Sequence, residues 1–577
     1  MARPRRVALA AVALLALGAA CGGVPSSGPV HVVRRVPAEG PDIVEPAVVQ
    51  RRLRPGPPDD AGPGDIVSGF LVAQAAPDGD HAIARKYLAP DVAWNAASPL
   101  TIYSAPRIGR PVVSGDTATV SVAFQREGAL TSEGEFLPPS RTSGTLAFRL
   151  RRLPSVGWRL ASAPPGVMVT PDDLTRSYQR ATLYFPSARS RLLVPQHVFL
   201  PEADQPAAAV VRALLQGPRG WSAPVVRSAI PDGTELLEPP TVVEGVVTVN
   251  FSREIRRAPQ ETLGALIAQV VWTLTEPSLA VEAVRLQVEG EVLVVPGRGA
   301  VREHRRTDWP EYDALARPAD DRLFFVRDGA PYALDAAGQV TRLGSLTGVE
   351  SFAVDRAGAH LAAVVADRGR RALVVESLAG GTAPRRVLVA DAVTPPTWEA
   401  ASDVVWVAAT SGGTVQVVAV PPTGPTAGVA ASSLPLGDVT SLRLSPDGVR
   451  VAAVVSGRLW VARVERTGTG ARVLAEPRPL GPGVSGITAL AFDGVGQVVV
   501  AGVLDRVRTL ARFDVDGYSA GPLRVQGLPS APVTALTSSA ATPPERVASA
   551  GGRMWRRSFG TDWAPIAGTG TAATYAG

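Results

Sequence analysis

The sequence predicts a multidomain chain: an N-terminal α+β domain, a second α+β domain and an all-β C-terminal propeller of about five to six blades. Three observations carry this prediction. Residues 320–577 repeat a strand-rich unit, residues 178–298 alternate strand and helix signals, and residues 64–165 pass from helical periodicity to strand alternation. A chain of 577 residues fits about three or four domains of ordinary size, and 46% hydrophobic residues suffice for their cores.

The chain opens with Arg3, Arg5 and Arg6, an apolar run from Val7 to Leu17, the small residues Gly18, Ala19 and Ala20, and then Cys21, the single cysteine. A basic start followed by an apolar run too short to span a bilayer describes an export signal over residues 1–20. This stretch resembles the lipobox of bacterial lipoproteins, although Gly18 stands where that family usually has Leu or Val. The resemblance implies that Cys21 is lipidated and becomes the first mature residue; the other readings are a plain secretory signal with a chance cysteine, or an uncleaved anchor. One acyl chain holds a protein only marginally, so two or three would be needed for lasting attachment. With no second cysteine, disulfides are excluded, and each domain must rely on its own core.

Residues 21–63 are rich in proline, from Pro25 to Pro63, and read as an extended tether. From Asp65, Ile66, Val67, Phe70, Leu71 and Ala73 recur at helical spacing, and Ala82 to Tyr87 continue in the same style, giving two helices. Alternation at Thr117–Phe124, Gly144–Leu150 and Trp158–Leu160 then predicts an antiparallel meander, and the domain is expected to end near Pro165. The pattern resembles the cone-shaped nuclear-transport-factor-like domains, a likeness that does not imply function.

In residues 178–298, Tyr184-Phe185-Pro186 closes a strand and Leu193 starts the next. A helix from Pro206 stops at Gly217-Pro218, because glycine terminates a helix and proline forbids its resumption. Ser228 to Thr234 reads as a strand end and turn, and Val246–Phe251 as a strand. A second helix from Glu261 to Thr275 sets Leu263, Leu266, Ile267, Val270, Val271 and Leu274 on one stripe, and a hairpin follows across Glu289-Gly290. This order is similar to the GerMN domain of bacterial envelope proteins. Residues 299–319 form a linker whose aromatics, Trp309 and Tyr312, are expected to pack the domains together.

The remainder repeats. Val349–Val365 and Val439–Val455 both read as strand, Asp-containing turn, strand, and Phe352, Trp398, Leu442, Leu490 and Leu536 occupy equivalent places at a spacing near 46. That period, with several short strands per unit, is the signature of a propeller. The segment from Leu323 to Leu334 is expected to complete a blade with the C-terminal strand and so remove the exposed edges.

Signal, tether, α+β domain, GerMN-like domain and propeller, in this order, resemble the actinobacterial LpqB-family lipoproteins over essentially the whole chain. The resemblance implies an anchored, extracytoplasmic accessory of a membrane sensor histidine kinase, MtrB-like, of the MtrAB two-component system, tuning envelope homeostasis and cell division. The rival reading is an envelope protein that binds or processes peptidoglycan or another glycan, with contact to the cell wall.

No catalytic site is legible, and the expectation is a binding protein rather than an enzyme. The five histidines, His31, His81, His197, His304 and His360, lack metal-ligand spacing, and one cysteine excludes thiolate metal sites, so no metal and no cofactor is expected. Lys86, the single lysine, stands between Arg85 and Tyr87, which rules out a Walker A loop. Asp172-Asp173, Asp320-Asp321 and Asp447 read as turn caps. The net charge of +6 is dispersed arginine without interleaved aromatics, so no nucleic acid partner is expected. Trp555, among Arg553, Arg556 and Arg557, reads as a blade strand.

Overall fold

The computed structural model describes residues 56–577 apart from positions 98, 140–142, 296–300, 317, 319, 401, 436 and 482. The export signal, Cys21, His31 and most of the tether lie outside the described residues.

Helix α1 (Pro63–Ala73) begins on the last residue assigned to the tether, since proline at the first helical position gives up only an N–H that would have no intrahelical partner. Asp65 accepts the Gly62 N–H at 3.2 Å and fixes that start. The second expected helix is α2 (Asp78–Arg85), which opens with Gly79, Asp80 and His81 in the left-handed region and leaves Tyr87 in a turn. Both helices lie against an antiparallel meander in which Thr117–Leu130 is flanked by Leu100–Ile108 and Ser143–Leu153, the latter paired with Gly157–Ser162. Ile66, Phe70, Val120, Phe148 and Leu160 fill the core between the layers. The chain does not leave this domain near Pro165. Met168–Val169 returns to pair in parallel with Thr101 and Ile102, and α3 (Pro171–Ser177) adds Leu174 to the same core.

In the GerMN-like domain a hairpin, Tyr178–Pro186 with Leu193–Pro201, lies beside a sheet in the order Thr241–Val243, Val246–Phe251, Ala283–Val288, Glu291–Val292. The central two strands are parallel, which requires a crossover, and α5 (Leu263–Leu274) provides it. α4 (Pro206–Leu215) packs on α5. The one-stripe expectation for α5 is corrected: all nine residues from Leu266 to Leu274 are buried, because hairpin, sheet, α4 and linker surround the helix. Ser228–Ile230 is not a strand end. Gln269, fully buried on α5, accepts from Ala229 N at 2.8 Å and holds that segment as a loop. The linker aromatics are corrected too. Trp309 and Tyr312 complete the GerMN-like core instead of joining domains, and a side chain at Gly264 would meet the Tyr312 hydroxyl at 2.7 Å.

The propeller has six blades among the described residues. Their innermost strands are Thr571–Thr574 for blade 1, then Val349–Val354, the pair Ala392–Val393 and Thr397–Trp398, Val439–Leu444, Val484–Phe492 and Val533–Ser538 for blades 2 to 6. Pro395 and Pro396 interrupt the third of these, since proline cannot donate to the ladder. The five periodic residues all sit on innermost strands and are buried. Thr571–Thr574 pairs with Leu323–Arg327, so the C-terminal strand closes the ring as expected. Neighbouring blades are also tied by polar contacts near the axis: Trp398 Nε1 to Ala353 O at 3.1 Å, Thr488 Oγ1 to Val533 O at 2.7 Å, and Tyr575 N to Thr537 Oγ1 at 3.1 Å. Trp555 lies on the third strand of blade 6, Arg553–Arg557, as expected.

Candidate functional site: a three-domain junction and the propeller axis

Cys21, the one site residue expected from sequence, lies outside the described residues. Among the described residues no group of three or more His, Cys, Asp or Glu is placed to hold a metal ion. The acids read as turn caps are engaged in the structure. At the start of α3, Asp173 N donates to Thr170 Oγ1 at 3.1 Å and the Asp173 carboxylate accepts from the Thr170 hydroxyl at 2.9 Å; Asp320 pairs with Arg322 at 2.5 Å. Asp447 is buried, accepting from Ser445 Oγ, Val449 N and Arg450. Arg450 in turn donates Nη2 to Pro195 O at 2.7 Å, so this turn also carries a contact to the GerMN-like hairpin.

The first notable site is a junction where all three domains meet on blades 4 and 5. Trp221 of the GerMN-like domain lies between the guanidinium groups of Arg463 and Arg478, 5.7 and 5.3 Å from its ring centre, and its Nε1 donates to Glu476 O at 3.0 Å. Arginine over an indole face is a favourable cation–π arrangement, stronger when desolvated. The Trp221 N–H donates to Glu135 of the N-terminal domain at 3.1 Å, and Glu135 also meets Arg478 at 3.4 Å. Gly220 has φ +61°, and any side chain there would run into the Glu135 carboxylate. Nearby, Tyr518 of blade 5 makes edge contacts with Phe136 and Phe199, one from each of the other domains. Arg180 pairs with Asp514 at 2.7 Å and Asp516 at 2.8 Å. Beside it, burial and Arg180 push the His197 imidazole below its ordinary range, with Asp516 and Asp514 opposing.

Between the N-terminal and GerMN-like domains lies a cavity of about 380 Å³, lined in part by His81, Leu130, Tyr178, Gln196, Phe199 and Arg219. Burial lowers the proton affinity of His81 here. His360 is held by Asp355 at 2.8 Å, and His304 is buried next to Trp309. Among the described residues, His81, His197, His304 and His360 each lie in a separate setting.

The second site is the propeller axis on the side of the turns between first and second strands. A cavity of about 130 Å³ is lined there by Arg356, Trp398, Arg443, Ser538 and Tyr575, and linker residues Ala314, Leu315 and Ala316 border it. Arg356 donates to Ala314 O at 3.1 Å and Ala316 O at 2.5 Å, which fastens the linker across the mouth. Sequence reading missed Arg443, yet a signal was present: in the repeat register it aligns with Ala353, Glu399, Ala491 and Thr537, so a guanidinium occupies a position that is small in three of the other four units. Trp221 and Glu135 had no such signal, because each is explained only by a contact in another domain. The two sites bring fixed cations and buried aromatics together.

Comparison with known proteins is consistent across the chain. A family model described as "Lipoprotein LpqB, N-terminal domain" matches residues 56–175, one described as "Sporulation and spore germination" matches 182–294, and "Lipoprotein LpqB beta-propeller domain" matches 335–574. The chain is similar to Lipoprotein LpqB of Streptomyces coelicolor, 28% identical with 70% of each chain covered. It is 33% identical to Lipoprotein LpqB of Cutibacterium acnes over 51% of this chain, and spans about half of that relative, 48%. Among solved structures, TolB from Acinetobacter baumannii aligns with a TM-score of 0.36 at 15% identity, covering 44% of this chain and 66% of that one. With both terminal regions and named relatives agreeing, the chain belongs to the LpqB family of lipoproteins.

Proposed function

We propose that this protein is a lipid-anchored, extracytoplasmic binding scaffold that acts as an accessory to a membrane sensor histidine kinase, MtrB-like, in envelope homeostasis and cell division. The observation that carries the reading is the LpqB match in the N-terminal and propeller regions. The export signal ending at Cys21 supports attachment to the outer face of the cell membrane through lipid. Among the described residues no helix is long and apolar enough to cross a membrane. The three-domain junction supports a scaffold role, since a rigid body presents its loops in fixed positions.

The test is photo-crosslinking in intact actinobacterial cells from positions on all three domains, followed by identification of the adducts. The expected result is a histidine kinase adduct from at least one domain. Adducts confined to peptidoglycan would replace this reading with the glycan-binding one.

A further inference from the structure

The axis of the propeller carries a positive charge that the protein leaves unneutralised. Arg443, on the innermost strand of blade 4, donates Nη1 to Leu442 O and Pro395 O at 3.1 Å and to Pro396 O at 3.5 Å. All three acceptors are neutral carbonyls. No hydrogen bond is formed by its Nε or Nη2 among the described residues, and the residue lines the cavity at the axis. Burial alone pushes the guanidinium down to about 10, with no carboxylate opposing, so the group still carries its charge at neutral pH.

The acids at the equivalent turns already have side-chain partners. Asp355 holds His360 at 2.8 Å, Glu399 holds Arg466 and Arg472 at 2.5 and 2.8 Å, Asp447 holds Arg450, and Asp493 holds Arg546 at 2.7 Å. Arg356, a second guanidinium on the same cavity, is bound to linker carbonyls, with Asp313 partly offsetting its burial. Arg443 is half-buried; a charge drawn out of water without an ion partner is unfavourable, and an arginine fork matches the oxygens of carboxylate and phosphate.

We propose that this cavity of about 130 Å³ binds one small oxyanion, a phosphate-like or short carboxylate anion, with Arg443 as the recognising cation. Linker residues Ala314, Leu315 and Ala316 border the cavity, and its volume of about 130 Å³ suits a free small anion. Thr397, on the same cavity wall, accepts from Leu444 N at 3.2 Å and keeps its own O–H to donate to an anion oxygen.

The experiment is calorimetric titration of the full chain in detergent with inorganic phosphate and, separately, acetate, at constant ionic strength. The expected result is saturable one-site binding of at least one of them, weakened tenfold or more in Arg443→Met. The stronger of the two identifies the tetrahedral or the planar class. Phosphate or acetate should also raise the unfolding midpoint of the wild type and leave that of Arg443→Met unmoved. Absence of saturable binding by the wild type, or equal binding by both proteins, overturns the proposal. Should Arg443→Met not fold, crystals of the wild type grown with selenate decide: an anion at Arg443 supports the site, and water alone there overturns it.

Discussion

Arg180 of the GerMN-like hairpin forks onto two carboxylates of blade 5, Asp514 at 2.7 Å and Asp516 at 2.8 Å. Asp514 is nearly inaccessible, its side chain 3% exposed, and its other oxygen accepts from Gln497 Nε2 at 2.9 Å. Arg180→Ala strands a buried carboxylate at the seam and should cost about 3 kcal/mol of docking free energy. Calorimetry of the wild type should show GerMN-like domain and propeller unfolding together, and the variant should show them separating into two transitions. A single unshifted transition would remove the pair from the junction.

The repeat made the propeller legible before any coordinates, because each blade must place an apolar residue of its innermost strand against its neighbour. Phe352, Trp398, Leu442, Leu490 and Leu536 do so. Periodicity also located α5, but it described one apolar stripe where the helix is enclosed on all sides, since a local period cannot report how many neighbours a helix will acquire. Trp309 and Tyr312 were visible as anomalous aromatics in a linker, while their destination beside Gly264 depends on a contact across more than forty positions of sequence. The junction itself was not legible. Trp221, Glu135, Arg463 and Arg478 are ordinary residues until three domains bring them together.

Val270 is fully buried on α5. Val270→Asp places an unpaired carboxylate in the GerMN-like core and should cost at least about 3 kcal/mol, with the loss of the cooperative unfolding of this domain. Limited proteolysis should then cut within residues 178–298 while sparing the propeller. Equal protease resistance of variant and wild type would place Val270 outside the core.

Closure of the ring rests on the pairing of Phe324 with Thr574 and Val326 with Thr571. Deleting residues 571–577 leaves Leu323–Arg327 as an open edge and uncovers the inner side of blade 1, where Phe324 and Phe325 are otherwise buried. The truncated protein should aggregate in a concentration-dependent way and melt several degrees lower. Light scattering and thermal unfolding check this, and a monodisperse protein of unchanged midpoint would show that the strand does not close the ring.

Cys21→Ala should abolish acylation and release the protein from the membrane fraction, or leave an uncleaved precursor. Fractionation with mass spectrometry of the mature N-terminus distinguishes these outcomes. A fully processed variant still held in the membrane would refute lipid anchoring at this residue.

Acidity should loosen the same junction. His197 sits with Nδ1 3.2 Å from Thr182 Oγ1, packs on Gly496, and faces Arg180, Arg450, Asp514 and Asp516. Burial and the Arg180 charge hold its proton affinity below the ordinary value of 6.5, and burial does the same to His81. In the unfolded chain both return to about 6.5, so between that value and the lower folded one the unfolded state binds more protons and stability rises with pH. Their contribution is complete above about pH 6.5 and is lost as pH falls from there toward the folded values. Carboxylates with depressed values, Glu133, Glu254 and Asp320, act with the same sign, but their ordinary values of 4.5, 4.5 and 3.8 place their windows lower. Unfolding midpoints measured from pH 7.5 to 5.5 therefore report chiefly the histidines, and they should fall across that interval. The double variant His81→Gln, His197→Gln should show a clearly shallower fall, and an undiminished slope would assign the acid sensitivity to other groups.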